Sequence, residues 1–196
     1  MSDYAKEIAM VEEPEETLSM NPKKFILWLF IVSIVMMFAA MTSGYLVRRA
    51  EGNWIDYQIP TIFGYSSIVL VISSITMHWA YVAAKKDRFA MMRTAITITF
   101  ALGIAFLYMQ FQGWVDLVRQ KVFFVGNPAG SFMYVFTGLH GFHLISGLIV
   151  LVFALVAAFR FRIHGKNLVQ LEIAASYWHF LDILWLYLFF FLVYFH

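Results

Sequence analysis

The stretch Ile173-Ala174-Ala175-Ser176-Tyr177-Trp178-His179-Phe180-Leu181-Asp182-Ile183-Leu184-Trp185 decides the fold, and it runs on without a further charge to Phe195. About 20 apolar residues make a helix long enough to cross the ~30 Å hydrocarbon core of a bilayer. The block from 173 to 195 therefore reads as a membrane-spanning helix that carries a histidine and an acid inside it. Ionisable side chains at bilayer depth are costly and mark functional-site candidates, so His179 and Asp182 are the first to consider.

The same pattern recurs upstream. Thr137-Gly138-Leu139-His140-Gly141-Phe142-His143 places two histidines inside another apolar block. Five such blocks are legible, at 25–47, 60–84, 94–114, 131–159 and 173–195. Hydrophobic residues make up 62% of the chain, against a usual ~45–50%, and the connecting loops are too short for a second folded domain. The expectation is an all-α integral membrane protein. An acidic cytoplasmic tail at 1–24 would precede a five-transmembrane-helix bundle at 25–196.

The tail holds Asp3, Glu7, Glu12, Glu13, Glu15 and Glu16. That is the opposite of a basic segment leading into an apolar one, and it argues against a cleavable signal peptide. The stretch Glu12–Glu16 reads as a solvated arm or as a contact for a basic partner surface. With no cysteine there is no disulfide, thiolate metal site or covalent c-type haem. The formal net charge is only +2 and the basic residues hug the helix ends, so nucleic acid is not expected as a partner.

Loop charge sets the expected orientation, because basic residues favour cytoplasmic loops. Lys6, Lys23 and Lys24 lie in the tail, Lys85, Lys86, Arg88 and Arg93 in the second loop, and Arg160, Arg162 and Lys166 in the fourth. The other loops hold Arg48, Arg49, Arg119 and Lys121, offset by Glu51, Asp56 and Asp116. The N-terminus is thus expected inside and the C-terminus outside. Gly126-Asn127-Pro128 is a turn signal before the fourth span, and no internal repeat or interrupted span is visible.

His140 and His143 are three residues apart and share a helix side. Gly138, Gly141 and Gly147 permit close helix approach. In the fifth span Glu172, Ser176, His179 and Asp182 form one stripe at ~100° per residue. Asp182 lies ~15 Å beyond Glu172 at ~1.5 Å per residue, at a depth similar to that of His143. A buried pair between His143 and Asp182 is therefore expected. Two readings of the constellation stand open. In one, the groups satisfy one another and fix helix register at ~1 kcal/mol per bond. In the other, His140, His143 and His179 ligate haem or a metal, copper included. Two histidines at i and i+3 cannot clasp opposite faces of one haem. His78 and the pair Gln110 and Gln112 read as packing and helix-bridging residues. Trp54, Trp114, Trp178 and Trp185 are compatible with interface belts or lipid contact, and Tyr187–Phe195 with a lipid- or subunit-facing surface.

The run Thr137-Gly138-x-His140-Gly141-x-His143-x-x-x-Gly147, followed by Glu172, Tyr177-Trp178-His179-Phe180-x-Asp182 and Trp185, resembles subunit III of the haem–copper oxidases, and of cytochrome c oxidase in particular. Trp28-Leu29-Phe30-Ile31-x-Ser33 resembles that family's first-span motif, Gln110 and Trp114 its third-span motif, and Lys86 and Arg88 its basic loop. Five spans resemble the short bacterial form. The resemblance implies a non-catalytic core subunit of a proton-pumping oxidase of aerobic respiration, in the cell's inner (cytoplasmic) membrane. Such a subunit has no haem, copper or other cofactor of its own; haem and copper reside in partner subunits. It packs directly on subunit I, alongside subunit II and other respiratory-chain subunits, binds structural phospholipids, and supports sustained turnover and proton uptake. His140, His143, Glu172, His179 and Asp182 match its buried polar network, and Tyr177, Trp178 and Trp185 its aromatics. Two positions depart from the pattern. Ile34 follows Ser33, and Gly113 precedes Trp114, where the family carries glutamates. Roles that rest on those carboxylates do not carry over.

The alternatives are subunit III of a quinol oxidase, an accessory subunit of a nitric oxide reductase, and a stand-alone haem-b membrane protein using His140, His143 and His179.

Overall fold

The structure is a computed structural model that describes residues 21–160 and 168–195. Residues 1–20 of the acidic tail, Arg162 and Lys166 of the fourth loop, and His196 lie outside the described residues. Five helices follow one another, α1 (Pro22–Ala50), α2 (Thr61–Lys85), α3 (Phe89–Arg119), α4 (Pro128–Phe159) and α5 (Val169–Phe195), and there is no strand among the described residues. Each is long and apolar enough to cross a membrane.

The helices begin before, or end beyond, the apolar blocks. They hold 25 to 32 residues, about 38–48 Å at 1.5 Å per residue, against ~30 Å of hydrocarbon. The surplus carries the basic and capping residues out to headgroup level. Asn21 caps α1 by accepting from Lys23 N–H at 3.1 Å, with Pro22 next in line. Asn127 does the same for α4 at 2.9 Å, ahead of Pro128. Proline at the first helical position removes a donor that would have gone unpaired there. Gly126, at φ +126°, supplies the backbone turn into that cap, where a side chain would be strained.

α2 and α3 form the tightest pair, and α4 and α5 close against them. α1 packs against α4 and α5 but makes no such approach to α2 or α3. It is also the least buried helix: 22% of its most apolar window is buried, against 44% for α4 and α5. Lipid tails are as apolar as leucine, so helices in a bilayer associate through close packing and interhelical hydrogen bonds. Such bonds join α2 to α3, α3 to α4, α4 to α5 and α5 to α1. Gln110 Nε2 donates to Ser66 Oγ at 3.0 Å between α3 and α2. Trp114 Nε1 donates to Thr137 Oγ1 at 2.9 Å between α3 and α4. Ser146 and Tyr177 hydroxyls meet at 2.7 Å between α4 and α5. Tyr187 donates to Thr42 Oγ1 at 3.2 Å between α5 and α1.

At the end away from Lys24, two loops are tied together. Asn127, besides capping α4, donates from Nδ2 to the Asn53 carbonyl at 3.0 Å, and Gln58 N–H donates to Gln120 Oε1 at 3.2 Å.

Candidate functional site

The two aromatic anchors of the fifth span are core residues. Trp178 and Trp185 are 0% and 1% exposed, which corrects the reading of them as belt or lipid-contact residues. The reason lies on α2, where Ser66-Ser67 and Ser73-Ser74 stand seven residues apart and so on one helix face. Ser73 Oγ accepts from Trp178 Nε1 at 2.7 Å and Ser67 Oγ accepts from Trp185 Nε1 at 2.9 Å. A buried indole N–H needs such a partner, and the serine ladder supplies it twice. The sequence carried this signal as two Ser-Ser pairs one heptad apart, and the motif reading passed over it.

Gly147 lets α4 approach this core. A methyl there would lie 2.8 Å from Leu181 Cδ1. Gly103 of α3 is as tight, with Trp178 Cη2 at 2.7 Å. Gly138 and Gly141 differ from Gly147. Their nearest neighbours, Trp114 and Leu107, stand at 3.7 and 3.9 Å, so they are not close-packing positions.

His140 is fully buried between Phe106 and Trp185, with ring centroids at 5.9 and 5.1 Å. Neither ring nitrogen has a hydrogen-bond partner among the described residues. His143, one turn on, turns toward α1. Its ring lies 6.5 Å from that of Phe30 and 5.9 Å from that of Phe38, and its Nδ1 donates to the Leu139 carbonyl at 2.7 Å. Ile34, midway between those two phenylalanines on α1, is itself buried. Tyr177 joins this face through Ser146, and its ring lies tilted 5.7 Å from that of Phe30. The expected His143–Asp182 pair is therefore absent. His143 faces α1, whereas Asp182 faces α2, so similar depth did not bring them together.

The third group is the stripe on α5. Glu172, Ser176 and His179 line a cleft of about 460 Å³ with Lys24, Leu27 and Trp28 of α1 and His78 and Tyr81 of α2. Its existence follows from the helix packing, because the α1 and α2 backbones stay apart and α5 closes the gap between them. Lys24 Nζ sits 2.6 Å from Glu172 Oε2, and Tyr81 donates to Glu172 Oε1 at 3.3 Å. Deeper in, Ser74 Oγ lies 2.6 Å from His179 Nδ1, and the ring of His78 is 6.4 Å from that of His179. Ser74 also faces Asp182, whose carboxyl is buried and has no hydrogen-bond partner among the described residues.

The five polar residues thus occupy three neighbourhoods: His140 in the aromatic core, His143 against α1, and Glu172 and His179 along the cleft with Asp182 buried beyond them. Among the described residues no three His, Cys, Asp or Glu side chains gather as a metal would require.

The family model for cytochrome c oxidase subunit III matches residues 56–196. The chain belongs to this family. It is 32% identical over 177 residues to a cytochrome c oxidase subunit 3 of Thermostichus vulcanus, covering 83% of this chain and 82% of that one. A probable cytochrome c oxidase subunit 3 of Nocardia farcinica is 32% identical over 84% of this chain and 82% of its own. The cytochrome bo(3) ubiquinol oxidase subunit 3 of Buchnera aphidicola is 27% identical over 87% and 85%. As a subunit III the chain is a multi-pass membrane protein and part of an oxidoreductase complex with other oxidase subunits.

Gly113 and Ile34, where the resemblance led to an expectation of glutamates, sit in apolar surroundings. Gly113 lies beneath the ring of Phe63, which fills the space any side chain there would need. Ile34 completes the apolar strip Phe30–Ile34–Phe38 against which His143 rests.

Proposed function

We propose that this chain is the non-catalytic subunit III of a proton-pumping cytochrome c oxidase in the cytoplasmic membrane, and that it holds phospholipid in the cleft between α1, α2 and α5. The observation that carries this reading is the cleft itself. Lys24, Glu172, Tyr81 and His78 make a polar mouth at headgroup level, and Leu27, Trp28 and Ile173 continue it as apolar wall. A cation, an anion and a phenol at the mouth suit a headgroup, and the wall suits an acyl chain. Lipid there fills the gap beside the least buried helix and so supports sustained turnover. The haem and copper centres belong to partner subunits, with subunit I packed directly on this chain and subunit II nearby.

The Lys24 end carries Lys23, Lys85, Lys86 and Arg88 as well, and by the positive-inside bias it faces the cytoplasm. This puts the cleft on the side from which an oxidase takes up protons. A reporter fused after His196 should read as external; a cytoplasmic signal would overturn the orientation.

The reading is tested by capture of the tagged chain in mild detergent, followed by a reduced-minus-oxidised spectrum, subunit identification and lipid analysis. An a-type haem spectrum with a copper-binding subunit II supports the cytochrome c branch. Haem with a subunit II lacking that copper site moves the chain to the quinol branch, the second reading, which the ubiquinol-oxidase relative favours. A chain captured with no haem-bearing partner would sink both.

A further inference from the structure

Asp182 is the one acid placed deep in α5. It is 3% exposed, and neither carboxyl oxygen has a hydrogen-bond partner among the described residues. An unpaired carboxylate at bilayer depth is costly, so a carboxyl persists there by holding a proton or a cation. The surroundings favour the proton. From α2 it is faced by the Ser74 hydroxyl, which is bonded in turn to His179, three residues earlier on the helix of Asp182. The histidine of α4 at this depth, His143, is turned to α1 and bonded to the Leu139 carbonyl. The Tyr187 hydroxyl of α5, beyond it, is bonded to Thr42 of α1. Toward the cleft, α1 offers Lys24, ion-paired to Glu172, and α2 offers His78, Tyr81 and Lys85, the last lying 4.5 Å over the Tyr81 ring.

A route joins Asp182 to the cleft. Ser74 stands between Asp182 and His179, at 2.6 Å from His179 Nδ1, and His179 lines the cleft wall beside His78. A hydroxyl both donates and accepts, and an imidazole can take a proton at one nitrogen while releasing one from the other. We propose that Asp182, Ser74 and His179 form a proton-exchange site entered from the cleft at the Lys24 end, with Asp182 as its buried terminus. In the unloading direction Ser74 passes its proton to His179 Nδ1 and takes the one from Asp182, while His179 Nε2 releases a proton to water in the cleft. Loading is the reverse, one proton moves, and no electron is transferred. Beyond Asp182 the next polar groups of α5, Trp185 Nε1 and the Tyr187 hydroxyl, are bonded to Ser67 and Thr42, so the site stores a proton and does not conduct one across. It needs only this chain's geometry and stands whichever electron donor the complex uses.

The test is hydrogen–deuterium exchange followed by infrared spectroscopy on the purified oxidase complex. In the wild type we expect the carbonyl band of a protonated carboxylic acid. That band should move on 13C-aspartate labelling, disappear in Asp182→Asn, and shift in Asp182→Glu. In Ser74→Ala the band should remain and its exchange should slow about tenfold or more, a barrier increase of about 1.4 kcal/mol. His179→Phe should slow it likewise. The isotope label assigns the band to an aspartate, and Asp182→Glu, which keeps a carboxyl, assigns it to this position even where Asp182→Asn fails to assemble. A band insensitive to labelling and to both Asp182 variants would show that Asp182 holds no proton. Unchanged exchange in both Ser74→Ala and His179→Phe would show that the route is wrong. Either result overturns the proposal, whatever the subunit capture shows.

Discussion

α1 is held in two different ways along its length. At the far end the Tyr45 ring meets Trp54, Phe132, Phe136 and Phe191 at 4.8–6.0 Å, and its hydroxyl donates to the Phe195 carbonyl at 2.8 Å. At the near end α1 meets α5 through the partly exposed Lys24–Glu172 pair beside the open cleft, with Phe30 against Tyr177 further in. Aromatic pairs contribute ~0.5–1.5 kcal/mol each beyond area burial, whereas exposed ion pairs contribute ~0–1 kcal/mol. The helix is held by a ring cluster at one end and borders a cleft at the other. The chain therefore spends its packing where nothing must enter and leaves a gap where the polar stripe lies.

The largest effect should come from Tyr45→Ala, which removes the anchor. A loss of ~3–5 kcal/mol is expected for so large a buried side chain, seen as a lowered Tm of the purified complex. Next is Gly147. Gly147→Ala should cost ~1–3 kcal/mol by overpacking against Leu181, while Gly138→Ala and Gly141→Ala should leave the Tm unchanged. Equal losses at all three would refute the distinction between them. Ser67→Ala should cost ~1 kcal/mol by orphaning the Trp185 N–H, and the indole fluorescence should shift with it. The smallest loss belongs to Lys24→Ala, below ~1 kcal/mol, with its consequence confined to lipid retained in the cleft. If Lys24→Ala destabilises the complex as much as Tyr45→Ala, the contrast between the two ends of α1 fails.

How far the sequence sufficed differs from residue to residue. The five helices were legible because each block exceeds the bilayer thickness, a property of the chain alone. The stripe Glu172–Ser176–His179–Asp182 was legible too, because helical periodicity fixes which residues share a face; its first three members line the cleft, and Asp182 is buried beyond it. What a helix faces is set by its neighbours, and there the reading broke. Depth suggested a His143–Asp182 bond, but the rotation of α4 and α5 directs the two side chains to different helices. Trp178 and Trp185 looked like belt residues until the α2 serines supplied partners for their N–H groups. Gly138, Gly141 and Gly147 were indistinguishable as letters; only the position of Leu181 separates the last from the other two.

The pattern of contacts around α1 also orders events in time. α2 and α3 follow each other in the chain and bond at once through Thr76 and Thr99, only 23 residues apart. The α1 backbone approaches neither of them. Glu172, the partner of Lys24, comes 148 residues later in the sequence (172 − 24), and Phe195, the partner of Tyr45, comes 150 residues later. At ~5–20 residues per second of synthesis, α1 waits about 7–30 s for α5. Until α4 brings Phe132 and Phe136 to Tyr45, it packs closely on no other of the five helices and must satisfy its own backbone. Its apolar, lightly buried surface is what lets it stand in the bilayer ahead of its partners.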